Sequence, residues 1–199
     1  GPEISCQRLV DHHHRLALIR VSGIESATFD EGNPHGAQDI LVTFEHTAEG
    51  LIALLVVAGG IIWGIPETAV LDVVEMNLAT IAVADHSTVL ERPDGDVPFA
   101  SFADLMGQHS ETVPTSIVVA ASAAGAIALG VEEVVGVRRI AAKELGAVLA
   151  DAEADVVTGA ALLGGEQVVL LVDTTRLAEK QREATRRYTP GGPMYKEDV

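Results

Sequence analysis

With a single cysteine, Cys6, the chain has no internal disulfide framework to build, which fits a reducing compartment and points to the cytoplasm. Aromatic residues are also scarce: they make up 4% of the 199 residues, with one tryptophan, whereas 48% of the chain is apolar. The core must therefore be assembled from Val, Leu, Ile and Ala rather than from stacked rings. No apolar run reaches the roughly 18 residues that a membrane span requires. The longest candidate, Leu51 to Ile65, is broken by Gly59, Gly60 and Gly64 and followed by Pro66, so it reads as a hairpin and no membrane insertion is expected. No signal-peptide pattern opens the chain, and Gly1-Pro2 reads as the remnant of a cleaved tag.

Positive charge is the other shortage. Thirteen Lys and Arg face 29 Asp and Glu, a formal charge of −16. Such a balance opposes nucleic-acid binding, because phosphate contact needs a basic surface. Six of the basic residues lie in 176–199 against four acids, which leaves the remaining body at −18. An acidic body stays soluble and favours basic partner surfaces.

Signatures of chemistry are missing as well. Neither a P-loop nor an ATP-lid pattern occurs, and Gly59-Gly60 and Gly164-Gly165 read as hairpin turns rather than phosphate cradles. Ser5, Ser22 and Ser122 lie outside any nucleophile-elbow pattern. His12-His13-His14 is the one dense histidine cluster. In a strand, neighbouring side chains face opposite sides, so only His12 and His14 could share an ion, with Asp11 the one carboxylate nearby. No catalytic residue, metal or cofactor is assigned.

What the chain does have is short apolar runs bounded by Gly, Pro, Asp or His. Ile40 to Phe44, Leu51 to Val57, Ile61 to Ile65, Thr80 to Val83, Ser87 to Glu91, Ile117 to Val119, Ala126 to Val131 and Val168 to Val172 all read as strands. Their spacing suggests barrels or a sandwich, since a parallel sheet would need long helical crossovers. Helical patterns are few: Ser101 to Met106, Lys143 to Ala150, and a polar helix from Thr175 to about Arg187. Glu25 to Gln38 reads as a loop, and Pro190 to Val199 as a frayed end.

The chain also repeats itself. Gly50-Leu51-Ile52-Ala53-Leu54-Leu55-Val56 matches Gly125-Ala126-Ile127-Ala128-Leu129-Gly130-Val131 at five of seven positions, and each run follows a similar strand. Residues 4–57 thus look like an incomplete copy of 86–131, with Leu51 to Val57 and Ala126 to Val131 in equivalent places. The front strands, Leu16 to Val21 and Ile40 to Val56, should be ordered, pairing with the second barrel or with another chain; an open edge of this kind favours a homo-oligomer.

From about Leu51 to Leu177 five fragments resemble the CheW-like domain family in the family's order. Ala53 to Pro66 looks like its first hairpin, and Glu67 to Met76 resembles the segment that follows. Gly95 to Phe99 with Phe102, Leu105 and Gly107 is similar to the RG-x-x-P-V-x-x-L stretch. Leu129 to Val137 looks like the l-V-D-x-V-x-G-v strand, and Gly159 to Gly164 with Val168 to Asp173 resembles the closing hairpin. The sequence departs from the family at Glu132, where Asp is usual, and at Arg92-Pro93-Asp94, where Arg-Gly is expected.

The resemblance implies an all-β fold of two SH3-like five-stranded barrels with a short C-terminal helix. Residues 1–47 would form an incomplete half-copy or extension, 48–178 the CheW-like domain, and 179–199 a polar helix and tail. It further implies a non-catalytic adaptor of a chemosensory array, whose partners are a CheA-type histidine kinase and the cytoplasmic tip of a chemoreceptor. The alternative is a regulatory fragment of such a kinase, since the closing hairpin and Leu16 to Arg20 look more like the kinase-borne domain. An unrelated small-ligand-binding barrel is the third reading. The expected partner surface comprises Arg92, Val97, Pro98, Phe99, Val134, Arg138 and Arg139, in stretches adjoining turns. Arg138-Arg139 reads equally as a docking handle and as the solvated face of a turn, whereas Trp63 and Phe99 read as core. The C-terminal helix is expected to dock back on the acidic body through complementary charge.

Overall fold

The computed structural model describes residues 3–10, 15–22, 38–44, 50–84, 87–108, 110–145, 156–164 and 167–187. Glu3–Val10 (β1), Arg15–Ser22 (β2) and Gln38–Phe44 (β3) form a three-stranded antiparallel sheet in that order. The front strands therefore pair with one another rather than with the second barrel, although β1 lies beside β14 and β3 beside β13. His12 to His14, the loop within Glu25 to Gln38 up to Gly36 and Ala37, and Pro190 to Val199 lie outside the described residues.

A closed barrel follows from β4 (Gly50–Ala58), β5 (Ile61–Pro66), β12 (Glu133–Glu144), β13 (Val157–Leu163) and β14 (Gln167–Val172), in the order β12-β13-β14-β5-β4 with β4 returning to β12. The other strands are β6 (Val70–Glu75), β7 (Ile81–Ala84), β8 (Ser87–Leu90), β9 (Val97–Ser101), β10 (Ser116–Ser122) and β11 (Gly125–Val131). They form a six-stranded sheet, β6-β10-β11-β9-β8-β7, which no backbone ladder closes among the described residues. Among the described residues the ladders close one barrel, where two were expected.

The six-stranded sheet must nonetheless curl. Its two edge strands are consecutive in the chain, and Glu75 and Ile81 are six residues apart, about 22 Å at full stretch. Six flat strands would hold the edges about 24 Å apart, and the 3-10 turn Met76–Leu78 shortens the link further.

Strand alternation builds three cores. Ala53 and Leu55 on β4 meet Ile140, Ala161, Val169 and Leu171 inside the closed barrel. Leu90, Val97, Ile117, Val119 and Ala128 fill the curled sheet. The residues between these positions, including Leu54, Val56, Val118, Ala120, Leu170 and Val172, form the largest core, where the two halves meet. Strands buried on both faces have no polar side to show, which is why they read as apolar runs. Trp63 lies at the centre of this interface, fully buried, its ring 5.3 Å from Phe102 and its Nε1 donating to the Ala58 carbonyl at 2.9 Å.

The repeat corresponds to something other than the equivalence expected of it. β11 has an antiparallel neighbour, β10, and a parallel one, β9; β14 stands in the same relation to β13 and β5. β4 has two antiparallel neighbours. The counterpart of Ala126 to Val131 is therefore β14, and the likeness of Leu51 to Val57 reflects only a shared pattern of two-sided burial.

Two helices complete the fold. Helix α1 (Phe102–Leu105) is capped by Ser101, whose Oγ accepts from the Asp104 N–H at 3.3 Å. Helix α2 (Thr174–Arg187) runs unbroken past residue 178. It docks on the body: Leu177, Ala178 and Gln181 are buried, and Thr174 Oγ1 donates to the Ala121 carbonyl at 2.7 Å. The Arg182 guanidinium donates to the Ala124 carbonyl. Lys143 and Glu144 belong to β12, not to a helix, and 146–150 lie outside the described residues.

Candidate partner-binding site

Arg92 follows β8 in a turn closed by the Gly95 N–H donating to the Arg92 carbonyl at 3.1 Å. Its Nη1 lies 2.9 Å from Asp72 Oδ2 on β6, and its Nε 3.3 Å from Asp94 Oδ1. Antiparallel partners share a face, and Asp72 lies opposite Val119, which is part of the core inside the curl. The ion pair thus spans the open side of the sheet. Hydrogen bonding to Asp72, then to Asp94, raises the guanidinium pKa above its ordinary value.

The neighbouring candidates divide between surface and core. Val97 is buried inside the curled sheet, Pro98 is exposed, and Phe99 is half-buried. The Phe99 ring lies over Gly130, where a Cβ would meet Phe99 Cζ at 2.9 Å. Val134 is half-buried against the interface core. Of these candidates Pro98 offers the most surface, Arg92 and Phe99 are half-buried, and Val97 is buried.

Val134 to Arg139 is a strand, not the flank of a turn. It belongs to β12, which carries a bulge between Val134 and Gly136, where Gly136 takes φ +114°. Arg138 and Arg139 are exposed but project to opposite faces, as successive strand residues do. Arg139 pairs across the ladder with Ile52, and Arg138 with Ala53. Arg139 therefore joins a patch that includes exposed Val137 and Ile52, whereas Leu51 pairs with Ile140 on the other face and the Arg138 Nη1 turns back to the Val137 carbonyl at 2.9 Å. The structure places this patch on the closed barrel and Arg92 to Phe99 on the curled sheet, so the expected surface is two surfaces.

A third feature escaped the sequence reading. An open cleft of about 610 Å³ lies between Glu75-Met76-Asn77 and Pro114-Thr115-Ser116. The two segments are joined by the Met76 N–H donating to the Thr115 carbonyl at 2.9 Å. Leu78 and Val113 adjoin it, 75% and 74% exposed. Between Glu67 and Val131 the sequence holds nine acids and one base, Arg92, already paired with acids. The cleft itself carries one carboxylate, Glu75, and no cationic side chain among its lining residues, which suits a basic, partly apolar partner. Its two segments are 40 residues apart in sequence, so only the β6–β10 register reveals it.

Glu132 stands at the crossover between β11 and β12. Its Oε1 accepts from the Gly59 N–H at 2.8 Å and from Ser110 Oγ at 2.5 Å. Gly59 has φ +61°, and a Cβ there would lie 2.4 Å from Gln108 Cβ, so the β4–β5 turn is pressed against the segment after α1. No group of three or more metal-ligating side chains occurs among the described residues, nor a helix long and apolar enough to cross a membrane.

Residues 53–182 match the family model of the CheW-like domain. No curated protein matches the chain. Among solved structures, scaffolding protein TtCheW from Thermoanaerobacter tengcongensis is similar, with a TM-score of 0.51 and 11% identity over 66% of this chain and 92% of that one.

Proposed function

Because the chain belongs to the CheW-like domain family, we propose that it is a non-catalytic adaptor that couples a chemoreceptor tip to a CheA-type histidine kinase. The carrying observation is a division of surface chemistry between the halves. The closed barrel offers Ile52, Val137 and Arg139, suited to an acidic partner; the curled sheet offers the cleft with Glu75, next to Leu78 and Val113 in sequence, suited to a basic one. Two unlike surfaces on one domain, whose halves share a core, let it hold two partners at once. Modest contacts suffice, because in an array many weak contacts act together.

Measuring binding of receptor-tip and kinase fragments separately and together tests this reading. Each should bind the parent chain, and Arg139→Glu should weaken one partner and spare the other. Loss of both, or of neither, would count against two separate surfaces.

A second reading, in which the chain is the regulatory part of a CheA-type kinase, is favoured by the additional sheet β1-β2-β3, which lies outside the matched residues. An ATPase domain in the same polypeptide would establish it.

A further inference from the structure

Glu132 connects the two halves through every polar group with a recorded partner. Its N–H donates to the Val57 carbonyl on β4 at 2.9 Å, and its carboxylate accepts from Gly59 in the β4–β5 turn. On the other side its carbonyl accepts from Thr115 Oγ1 at 2.7 Å, and the carboxylate from Ser110 Oγ. Ser110 Oγ in turn accepts from the Thr112 N–H at 3.1 Å. A continuous chain of hydrogen bonds thus runs from Thr112 through Ser110 and Glu132 to Gly59 on the closed barrel, and the Glu132 carbonyl ties in Thr115, which lines the cleft.

We propose that Glu132 is the positioning residue that holds segment 110–115, and with it the acidic cleft, in place against the closed barrel. The segment belongs to no strand or helix, so it lacks a ladder of its own and depends on such ties. Thr115 anchors one end by its backbone, donating to the Val131 carbonyl at 2.9 Å and accepting from Met76. Ser110 and Thr112, at the other end, reach the fold through the Glu132 carboxylate. One oxygen takes both donors, and an ionised acceptor makes each bond stronger than a neutral one would.

The length of the side chain matters. Aspartate at 132 is one methylene shorter, too short to meet both donors from this backbone position, whereas glutamine keeps the reach and the acceptor oxygen. The pin deepens the adaptor reading, on which its consequence for partners rests; its geometry does not depend on that reading.

Amide hydrogen exchange on the free full chain, followed residue by residue by NMR, tests the pin without any partner. In Glu132→Asp the Gly59 and Thr112 amides should exchange at least tenfold faster than in the parent. Amides of Val169 to Leu171 in the β13–β14 hairpin should keep their rates, and Glu132→Gln should restore most of the protection. Unchanged protection at Gly59 and Thr112 in Glu132→Asp overturns the proposal, and so does an equal acceleration in β13–β14, which would mean general loosening. Should Glu132→Asp fail to fold, Ser110→Ala serves: Thr112 should accelerate while Gly59 holds, and no change at Thr112 overturns the pin. A cleft-binding kinase or receptor fragment should then bind Glu132→Asp more weakly and Glu132→Gln nearly as the parent. If exchange behaves as expected and the parent itself binds neither fragment, the pin stands and the adaptor reading falls.

Discussion

Arg92, in the turn after β8, reaches Asp72 on the opposite edge strand β6, Nη1 to Oδ2 at 2.9 Å, and no backbone ladder joins β6 to β8 or β7 among the described residues. The pair is partly exposed, with the Arg92 side chain one quarter accessible, so its contribution to stability is modest and screened by salt. Arg92→Ala and Asp72→Asn should each lower the melting temperature slightly, and the double variant no further than the worse single one. Strictly additive losses would show that the two residues do not act together.

The pH dependence of that pair has a definite sign. The Arg92 pKa is raised, so its contribution is complete below the unfolded value and is lost only as pH rises through the folded value, beyond the ordinary arginine range. Stability between pH 6 and about 10 should therefore show no step from Arg92. A step in that range that Arg92→Ala abolishes would contradict the assignment.

Trp63 is the only tryptophan and lies at the interface of the halves, so its fluorescence reports on their contact. Emission should be blue-shifted and poorly quenched by acrylamide in the native chain, and should shift red on unfolding. Trp63→Phe leaves the Ala58 carbonyl without its donor and should cost about 1–3 kcal/mol; Trp63→Ala should cost about 3–5 kcal/mol. Urea unfolding followed by circular dichroism measures both. Losses below half a kilocalorie would remove Trp63 from the core.

Gly59 and Gly60 both have positive φ, 61° and 72°, but only Gly59 faces a neighbour. Gly60→Ala should cost about 1–2 kcal/mol, the left-handed penalty alone. Gly59→Ala should cost clearly more, because its methyl must displace Gln108. Equal losses in the same unfolding assay would argue against close packing of that turn.

Legibility in the sequence followed burial. β4, β10 and β14, covered on both faces, stood out as apolar runs, and the expected strands there are present. β6 and β12 were harder to see, because Asp72, Glu75, Arg138, Arg139 and Lys143 interrupt the alternation on strands with an outward side. Closure depends on β12 pairing with β4, some 80 residues earlier; local pattern carries no trace of it, so which strands close a barrel was not legible. Arg138-Arg139 was visible as a charged pair, but only the strand geometry separates them. Glu132 was visible as a departure from the family pattern, and its partners at 57, 59, 110 and 115 were not.

That separation gives a further prediction. Arg139→Glu should weaken an acidic partner about tenfold or more if the contact is desolvated, whereas Arg138→Glu, on the other face, should change affinity much less. Both should unfold as the parent does. Equal effects in surface plasmon resonance at low salt would mean that the patch around Ile52 is not the docking surface.

Retention of a CheA-type kinase fragment on immobilised receptor tips, with and without this chain, tests the coupling role most directly. The kinase fragment should be retained well above background only when the chain is present, with all three components in the bound fraction, and Arg139→Glu should reduce that retention. A chain that binds neither fragment, or that leaves kinase retention unchanged at saturating concentration, would contradict the adaptor function.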